Sequence, residues 1–558
     1  MSSIFSYFNF NIIYFFNENK YIYIYIYIYM NYYYKYLKYK NKYNYLRGGV
    51  DKTIEVAFRA KVGEDSFLTM KSFISETFTI TDDNIDGNII DTIQNEARGT
   101  NIILHINHTS NTQSTTENIL KKLRGWCVIE LYLNNTSVNE YTTSFLEMLF
   151  NFTNLRKLEF TNLSLFNGNF NFTELTKLTE LTFGNNFNNG NQPIENLPVN
   201  LEKLIFGNDF TNGHQPIKNL PEQLIELTFG NNFTNGGQPI KNLPDSLRKL
   251  TFGNDFTNGG QPIKNLPEQL IELTFGNHFT NGRQPIKNLP VNLEKLIFGN
   301  YFTNGRQPIE NLPDSLEKLT FGKHFNQYIG KYPTQLKELT FGYFFKNDNR
   351  PIENLPNSLK ELTFGNDFTN GGQPIENLPD SLEKLTFGTN FNQYIGKYPT
   401  QLKELTFGHC FNNDNRLMAQ LPDNLQKLTF GTNFNQYIEK YPKQLEELTF
   451  GYQFNNNSRL MAQLPDNLQK LTFGTNFNQY IGKYPKQLKE LTFGHSFNNY
   501  SRLMAQLPDN LVKLKFGVNF SRTIPNIPEK LTELTISHKY RNAFTSKNLH
   551  LKISITYL

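Results

Sequence analysis

Histidine and cysteine are the residues through which this sequence could hold a metal or build a nucleophile. The chain has nine His and two Cys, and His409 directly precedes Cys410. A metal site or a Cys/His pair built from these two residues and His495 would need a second Cys or clustered carboxylates beside them, and the sequence supplies neither. It also has no G-x-x-x-x-G-K-[ST], H-E-x-x-H or G-x-S-x-G motif. We therefore expect a protein that is not an enzyme and uses no cofactor or metal.

Cysteine count and charge distribution limit the compartment and the partners. Cys127 and Cys410 lie too far apart in the sequence for a disulfide framework, which is typical of a reducing compartment. The net charge is +5, and residues 31–50 contain four Lys and one Arg without an acid, so the rest of the chain sums to about zero. A neutral body is a poor surface for nucleic acid. We expect an intracellular protein that binds no nucleic acid.

A repeated segment fills most of the chain and must position these residues. Its marker is a Phe-Gly pair, and successive pairs lie 20 or 23 residues apart. The aligned residues are Phe183, Phe206, Phe229, Phe252, Phe275, Phe298, Phe321, Phe341, Phe364, Phe387, Phe407, Phe430, Phe450, Phe473, Phe493 and Phe516. Degenerate copies extend the series to Leu133 and Ile536, which gives about nineteen turns of a solenoid. The 20-residue turns lose three residues between Phe325 and Ile329, which predicts a surface loop there.

Six apolar positions recur in each turn and predict how it folds. In one turn they are Leu201, Leu204, Phe206, Phe210, Ile217 and Leu220. Lys203 to Phe206 alternate outward and inward as a short strand does, so successive strands should lie parallel and in register. Gly207 avoids crowding after the strand, and the pair Asn212-Gly213 accepts positive φ. Pro221 keeps the return path out of helix and sheet.

The outward-facing strand positions show a regular charge pattern. Three residues before each aligned Phe, Lys and Glu alternate with two breaks, from Glu130 and Lys157 to Lys513 and Glu533. With parallel strands about 4.8 Å apart, neighbours can pair, at roughly 0.2–1 kcal/mol each. Duplication of two-turn blocks would produce the same alternation. One residue before the Phe, a column of Thr suits an exposed strand. We assign both columns to the scaffold.

The two residues that follow each Phe-Gly pair vary from turn to turn. Early turns have Asn-Asn or Asn-Asp there, whereas later turns have aromatic or His residues. Exposed aromatic residues at the rim of a solenoid are typical of a protein-binding hot spot. Neutral drift at tolerant loop positions is the alternative explanation. The candidate partner-binding residues are His278, Tyr301, His324, Tyr343, Phe344, His409, Tyr452 and His495.

Residues 1–125 lie outside the repeat. Residues 1–29 are a low-complexity Tyr/Ile segment, as alternating TAT and ATA codons would encode, and Met30 is an alternative start to Met1. A membrane hairpin or an aggregation-prone strand is the other interpretation of that segment. Residues 30–49 predict a basic amphipathic helix from Tyr32 to Leu46. Its alternative roles are to pack on the next domain, to act as a sorting signal, or to make weak contact with a membrane surface. Residues 50–125 predict a small α/β cap, with strands in TIEVAF and NIILHIN and a helix in TENILKKLRG.

The repeat resembles a known family. The pattern L-x-x-L-x-F-G-x-x-F, followed by P-I-x-N-L-P, resembles the FNIP repeat of slime moulds and giant DNA viruses over roughly residues 150–540. The half-motif LPDSLEKLTFGKHF is similar to a short leucine-rich repeat. The resemblance implies a curved, right-handed, leucine-rich-repeat-like parallel β-solenoid, here residues 126–540, with a C-terminal cap at residues 541–558. The stretch YYYKYLKYKNKYNYLRGG resembles an N-terminal motif of giant-virus proteins, which implies a viral source.

The FNIP resemblance also implies a function. Members of this family are expected to be scaffolds that bind other proteins, here a protein partner in the host cytoplasm or the virion. Some viral members carry an F-box and resemble ubiquitin-ligase adaptors, but residues 51–125 contain no recognisable F-box. We expect a monomeric, non-enzymatic interaction scaffold without a signal peptide or transmembrane helix. Two alternatives stay open: a substrate adaptor of a ubiquitin ligase, and a structural virion or membrane-surface component.

Overall fold

A computed structural model describes the repeat array and parts of the segment before it. The described residues are 39–40, 50–55, 60–61, 67–68, 73–81, 101–108, 120–123, 127–135, 147–161, 171–413, 421–438, 440–456, 464–479, 481, 483–498, 507–522, 524, 526–537 and 553–557. They form two compact units. The first contains the described residues within Met1–Asn167 and Phe172–Gly184, and the second contains those within Gly168–Asn171 and Asn185–Leu558.

The first unit is mostly sheet. Its strands are β1 Tyr39–Lys40, β2 Val50–Glu55, β3 Ala60–Lys61, β4 Phe67–Leu68, β5 Phe73–Thr81, β6 Asn101–His108, β7 Val128–Asn135, β8 Lys157–Thr161 and β9 Glu180–Thr182. Residues 120–122 and 147–149 are helical. Strand β2 pairs antiparallel with β1 and β5, and β3 pairs antiparallel with β4. From β5 to β9 every pairing is parallel. The parallel sheet therefore begins at Phe73, well before the first recognisable repeat.

The predicted helix at residues 30–49 is wrong at the two positions that the structure describes. Tyr39 and Lys40 form strand β1, whose partners in β2 are Ile54 and Thr53. Tyr and Lys alternate around these positions, and such an alternation every two residues favours a strand. The spacing of three and four residues between the apolar side chains from Tyr32 to Leu46 favours a helix equally, so the sequence alone did not decide between them. The remainder of that helix, and residues 1–29, lie outside the described residues. So does most of the C-terminal cap.

The second unit is a parallel β-solenoid. Its strands are β10 Lys203–Ile205, β11 Glu226–Thr228, β12 Lys249–Thr251, β13 Glu272–Thr274, β14 Lys295–Ile297, β15 Lys318–Thr320, β16 Glu338–Thr340, β17 Glu361–Thr363, β18 Lys384–Thr386, β19 Glu404–Thr406, β20 Lys427–Thr429, β21 Glu447–Thr449, β22 Lys470–Thr472, β23 Glu490–Thr492, β24 Lys513–Lys515, β25 Glu533–Ile536 and β26 Ser554–Tyr557. Adjacent strands pair in the predicted register; Leu204 lies opposite Leu227, for example. The strands β10 to β25 make sixteen turns rather than nineteen, because β7, β8 and β9 belong to the first unit.

The core is built from the six predicted apolar positions. In the turn that contains β10, Leu201, Leu204 and Phe210 have no exposed side-chain surface, and the other three members are at most 9% exposed. The two Phe residues of a turn stack on each other, with 3.9 Å between the Phe206 and Phe210 ring centroids. Each also stacks on its copy in the next turn, at 5.9 Å for Phe206 and Phe229. Two parallel columns of Phe rings therefore run through the solenoid and join successive turns.

A column of buried Asn residues shapes the 23-residue turns. In Asn258–Gly260 all three residues have positive φ, at 55°, 61° and 67°. Asn258 is 1% exposed. Its Nδ2 donates to the carbonyl oxygens of Gln261 and Pro262 at 3.0 and 3.1 Å, and its Oδ1 accepts the N–H of Ile240 in the preceding turn at 2.8 Å. Among the described residues, the other turns of this type are Asn189–Asn191, Asn212–His214, Asn235–Gly237, Asn281–Arg283, Asn304–Arg306, Asn347–Asn349 and Asn370–Gly372.

The segment that the 20-residue turns lack was predicted to be a surface loop; the structure shows a turn with exposed residues such as Arg306 and Gln307 that is anchored by one buried Asn. The three residues that the 20-residue turns lack belong to the part of the turn that contains the buried Asn, which the amide hydrogen bonds hold in the core. In two of the 20-residue turns a parallel bridge replaces it, between Ile309 and Ile329 and between Ile375 and Ile395. The Oδ1 of Asn347, which follows a 20-residue turn, is buried without a hydrogen-bond partner. A short turn thus interrupts the Asn column.

No helix among the described residues has the length and hydropathy needed to cross a lipid bilayer.

Candidate protein-binding surface

The variable residues lie in two columns at the rim. We call the residue two after the aligned Phe the first rim column and the next residue the second rim column. The N–H of each second-column residue donates to the carbonyl oxygen of the first column in the preceding turn, at 2.9 Å from Tyr301 to Asn277 and 2.8 Å from His324 to Asn300. This backbone pairing fixes successive turns side by side. Side chains of one column therefore meet across turns.

Five of the eight predicted residues form one surface, which we call the aromatic patch: His278, Tyr301, His324, Tyr343 and Phe344. In the second rim column their ring centroids are 5.4 Å apart for His278 and Tyr301, and 5.0 Å apart for Tyr301 and His324. His324 contacts Phe344 at 5.0 Å, and Tyr343 meets Phe344 edge to face at 4.9 Å. Tyr301 is 48% exposed and Tyr343 is 47% exposed. The patch spans four consecutive turns.

Charged groups border the aromatic patch. The Nζ of Lys323 lies 5.4 Å from the Phe344 ring centroid and 5.7 Å from that of Tyr343, within cation–π range. At one end, Nδ1 of His278 is 2.9 Å from Oδ1 of Asp255. Beyond the other end, the second rim column continues with Asp367, which accepts a hydrogen bond from Asn390 at 3.1 Å. The aromatic run therefore has a polar boundary on each side.

The other three predicted residues do not join the patch. His409, Tyr452 and His495 are exposed in the first rim column of every second turn, and Thr432 and Thr475 occupy the turns between them. Two turns correspond to about 9.6 Å at the usual strand spacing, so no ring reaches the next. The eight residues thus form one continuous patch and one spaced series, which the sequence did not distinguish.

The Cys/His grouping considered for metal or nucleophilic chemistry is not assembled. His409 and His495 are four turns apart, about 19 Å at the usual strand spacing. The Sγ of Cys410 lies 3.8 Å from Oδ1 of Asn390. Across the part of the chain that the structure describes, no three His, Cys, Asp or Glu side chains come together in a way that could hold a metal ion.

The predicted Lys/Glu alternation forms ion pairs. Glu226 lies between Lys203 and Lys249, with Nζ to Oε distances of 3.1 and 3.5 Å. Two like pairs interrupt the column, Lys295 opposite Lys318 and Glu338 opposite Glu361. The paired side chains are partly exposed, so each pair contributes only a few tenths of a kcal/mol to roughly 1 kcal/mol. The column is a neutral part of the scaffold, as predicted.

A second charged column, one residue earlier in the turn, was not predicted. Glu383 there pairs with Lys360 at 3.1 Å and with Lys403 at 2.6 Å. Their ammonium groups lower the pKa of the Glu383 carboxyl below its usual value. The strand face is therefore self-paired in two columns, which leaves the rim as the more distinctive surface.

Sequence reasoning also missed a cleft beside the aromatic patch. It has a volume of about 730 Å³ and is lined by His278, Thr280, Arg283, Tyr301, Thr303, Gly305 and Arg306. The two Arg residues occupy a position where other turns have Gly, such as Gly237 and Gly260. The replacement of Gly by Arg at this position, eight residues after the aligned Phe, is the sequence signal that identifies both residues. The cleft adds a basic component to the aromatic surface.

These features define the class of protein: a leucine-rich-repeat-like parallel β-solenoid with a variable rim. The chain belongs to the FNIP repeat family. The family model, described as FNIP Repeat, matches residues 191–232, 212–255, 235–278, 281–324, 304–344, 325–367, 372–410, 411–453 and 454–496.

Among the solved structures that match this chain are the following three. CroV588, described as a circular LRR protein, is 26% identical with a TM-score of 0.38, covering 82% of this chain and 88% of its own. YopM from Yersinia enterocolitica is 17% identical with a TM-score of 0.40, covering 78% and 87%. The TLR13–ssRNA13 complex is 15% identical with a TM-score of 0.43, covering 78% and 77%. No curated protein matches the chain significantly.

Proposed function

We propose that the protein is a non-enzymatic scaffold that binds a protein partner through the aromatic patch. The observation that supports this proposal is the continuous stack of His278, Tyr301, His324 and Phe344 on consecutive turns, with Tyr301 half exposed at its centre. Tyr is among the residues that most often dominate binding energy at protein interfaces, and Phe is enriched there relative to the rest of the surface. A solenoid holds them rigidly, so little conformational entropy is lost on binding.

The rim is well suited to recognition because the scaffold does not depend on its identity. The second rim column holds Asp209, Asn232 and Asp255 in earlier turns of the same backbone conformation. Their N–H groups make the same inter-turn hydrogen bonds as the N–H groups of the aromatic patch, at 2.8 Å for Asp255 and 2.9 Å for Tyr301. An aromatic ring at this position therefore adds an exposed contact surface without being required for the fold. A viral source and an intracellular location are part of this proposal and are supported by the N-terminal motif and the cysteine count.

Affinity purification from expressing cells tests the proposal. Recovered proteins are quantified for the unaltered chain, for the double variant Tyr343→Asp with Phe344→Asp, and for Tyr452→Asp. Tyr452 is 51% exposed outside the patch, so the control makes the same kind of change elsewhere on the rim. The patch variant should lose at least nine-tenths of a specific partner, and the control should retain it. Retention of every partner by the patch variant would exclude the patch as the binding surface.

A further inference from the structure

The cleft beside the aromatic patch contains two arginines whose backbone conformation is unfavourable. Arg283 has φ 55° and Arg306 has φ 60°, in the left-handed region that non-glycine residues rarely occupy. The same position is Gly in Gly237, Gly260 and Gly372, with φ between 67° and 77°, and is Asn191, His214 or Asn349 in three other turns, with φ between 55° and 59°. Folding of the turn therefore does not require a side chain at this position. A strained backbone that the fold does not need points to a use for the side chain.

The two guanidinium groups also lack compensation. Arg283 and Arg306 lie at the same position of consecutive turns, both exposed. Among the described residues no carboxylate is within ion-pair distance of either group, and the lining of the cleft contains no acid. Like charges on adjacent strands repel each other. The cleft therefore presents two uncompensated cations, in contrast to the self-paired Lys and Glu columns of the strand face.

The arginines and the aromatic rings occur together. The two turns with Arg at this position have His278 and Tyr301 in the second rim column, whereas the turns with Gly there have Asn232, Asp255 and Asp367. Each of these two turns thus has a cation in place of Gly, and an aromatic ring in place of the Asn or Asp of the second rim column. The rings differ, His in one turn and Tyr in the next, so the combination is not a simple copy of one turn. Both pairs line the same cleft.

We propose that this cleft binds an acidic peptide segment of the protein partner, with carboxylates on Arg283 and Arg306 and the adjoining peptide side chain on Tyr301. The planar guanidinium pairs bidentately with carboxylates and is weakly hydrated, which suits a partly enclosed cleft. An acidic peptide is favoured over nucleic acid because the remainder of the chain beyond residue 50 has a net charge of about zero, and nucleic acid requires an extended basic surface. The inference rests on the proposed function and specifies the chemistry of the partner.

Fluorescence anisotropy with labelled peptides tests this assignment on the full chain. The probe is acetyl-Glu-Glu-Tyr-Glu-Glu-amide with an attached fluorophore, and its neutral counterpart replaces each Glu by Gln. The double variant Arg283→Gly with Arg306→Gly removes both cations. It restores the residue that neighbouring turns already have, so its thermal midpoint should be equal to or higher than that of the unaltered chain. The matched control, Lys241→Gln with Lys264→Gln, removes two exposed cations from consecutive turns outside the cleft.

The acidic peptide should bind at least tenfold more tightly than the neutral one, and binding should weaken at least tenfold in the Arg double variant and less than twofold in the Lys control. Equal binding of both peptides, or binding unaffected by the Arg variant, would overturn the assignment. A decauridylate probe bound more tightly than the acidic peptide, with the same Arg dependence, would overturn it in favour of nucleic acid. If the peptide fails while the Tyr343 and Phe344 variant still loses its partner, this inference is wrong and the proposed function stands.

Discussion

Two glycines in one turn should respond very differently to the same substitution. Gly253 follows the aligned Phe252, and a Cβ added there would lie 1.7 Å from the carbonyl oxygen of Gly230 in the preceding turn. Gly260, in the same turn, has φ +67° and would place its Cβ in open space, with nothing within 4 Å. The first site is limited by a neighbouring backbone and the second only by its own conformation. The variants Gly253→Ala and Gly260→Ala therefore separate the destabilisation caused by a clash with a neighbouring backbone from the destabilisation caused by an unfavourable φ.

The expected costs follow from these contacts. Real Cβ contacts essentially never fall below 3.0 Å, so the Gly230 carbonyl would have to move by about 1.3 Å, the difference between 3.0 and 1.7 Å. Inter-turn hydrogen bonds flank this point, Phe252 N–H to Thr274 at 2.9 Å and Asp255 N–H to Asn231 at 2.8 Å. Weakening both costs about 1–3 kcal/mol, and overpacking costs about 1–3 kcal/mol more. Gly260→Ala should cost only about 1 kcal/mol for its positive φ.

Urea unfolding followed by circular dichroism measures the two costs, and hydrogen exchange with mass spectrometry locates them. In a solenoid each turn contacts only its neighbours, so the loss of amide protection should be concentrated in the turns beside Gly253. Gly253→Ala should cost at least about 1 kcal/mol more than Gly260→Ala, the difference between the lowest cost expected for the first and the cost expected for the second. Equal costs for the two variants would refute the close approach of successive Phe-Gly turns.

Three further predictions concern the turns themselves. Asn258→Ala should cost about 3 kcal/mol in urea unfolding, because Ile240 N–H and the carbonyls of Gln261 and Pro262 lose their partners; a cost below about 1 kcal/mol would contradict the Asn column. Burial raises the pKa of Tyr398 far above its usual value near 10, so its contribution to stability is fully present below pH 10 and is lost as the pH rises. Between pH 8 and pH 11 the unaltered chain should therefore lose about 1.4 kcal/mol more of its unfolding free energy than Tyr398→Phe does, and equal losses would contradict the burial of this hydroxyl. Deleting residues 387–429, a whole 43-residue block, should leave a cooperatively unfolding solenoid two turns shorter, whereas deleting residues 387–396 should expose neighbouring turns to proteolysis; equal damage would contradict the modular solenoid.

The core and register could be predicted from the sequence because they depend on periodicity alone. Residues such as Leu204 and Phe206 recur at a fixed phase, and only parallel, in-register strands bury all copies together. The positive φ of Asn212 and Gly213 was also predictable, since few other residue pairs adopt it readily. In each case a local preference and the repeat period favour the same structure.

The buried amide column could not be predicted, because Asn is common at exposed turns. Its burial at Asn258 depends on hydrogen bonds to the preceding turn, which the residue type does not reveal. The start of the parallel sheet at Phe73 was missed for a related reason. Strands β5 and β6 pair like repeat strands but have no Phe-Gly marker, so the repeat period does not identify them.

The candidate surface was only partly predictable. Exposure of the rim residues followed from their place after the strand, but their grouping depends on which column each ring occupies. Phe344, in the second rim column, directly follows Tyr343 in the first, and this difference in column decides that Phe344 is the ring 5.0 Å from His324. The arginine cleft was missed because Arg283 and Arg306 lie outside the two rim columns, at a position where other turns have Gly.

The most direct test of the account is the affinity of a purified partner for the variant Tyr301→Asp, compared with Tyr452→Asp. Tyr301 lies at the centre of the aromatic patch and beside the cleft, and Asp occupies its position in other turns, so the fold should be unaffected. We expect at least a tenfold loss of affinity for Tyr301→Asp, which corresponds to about 1.4 kcal/mol, and less than a twofold change for Tyr452→Asp. Equal affinities of the two variants would contradict binding through the aromatic patch.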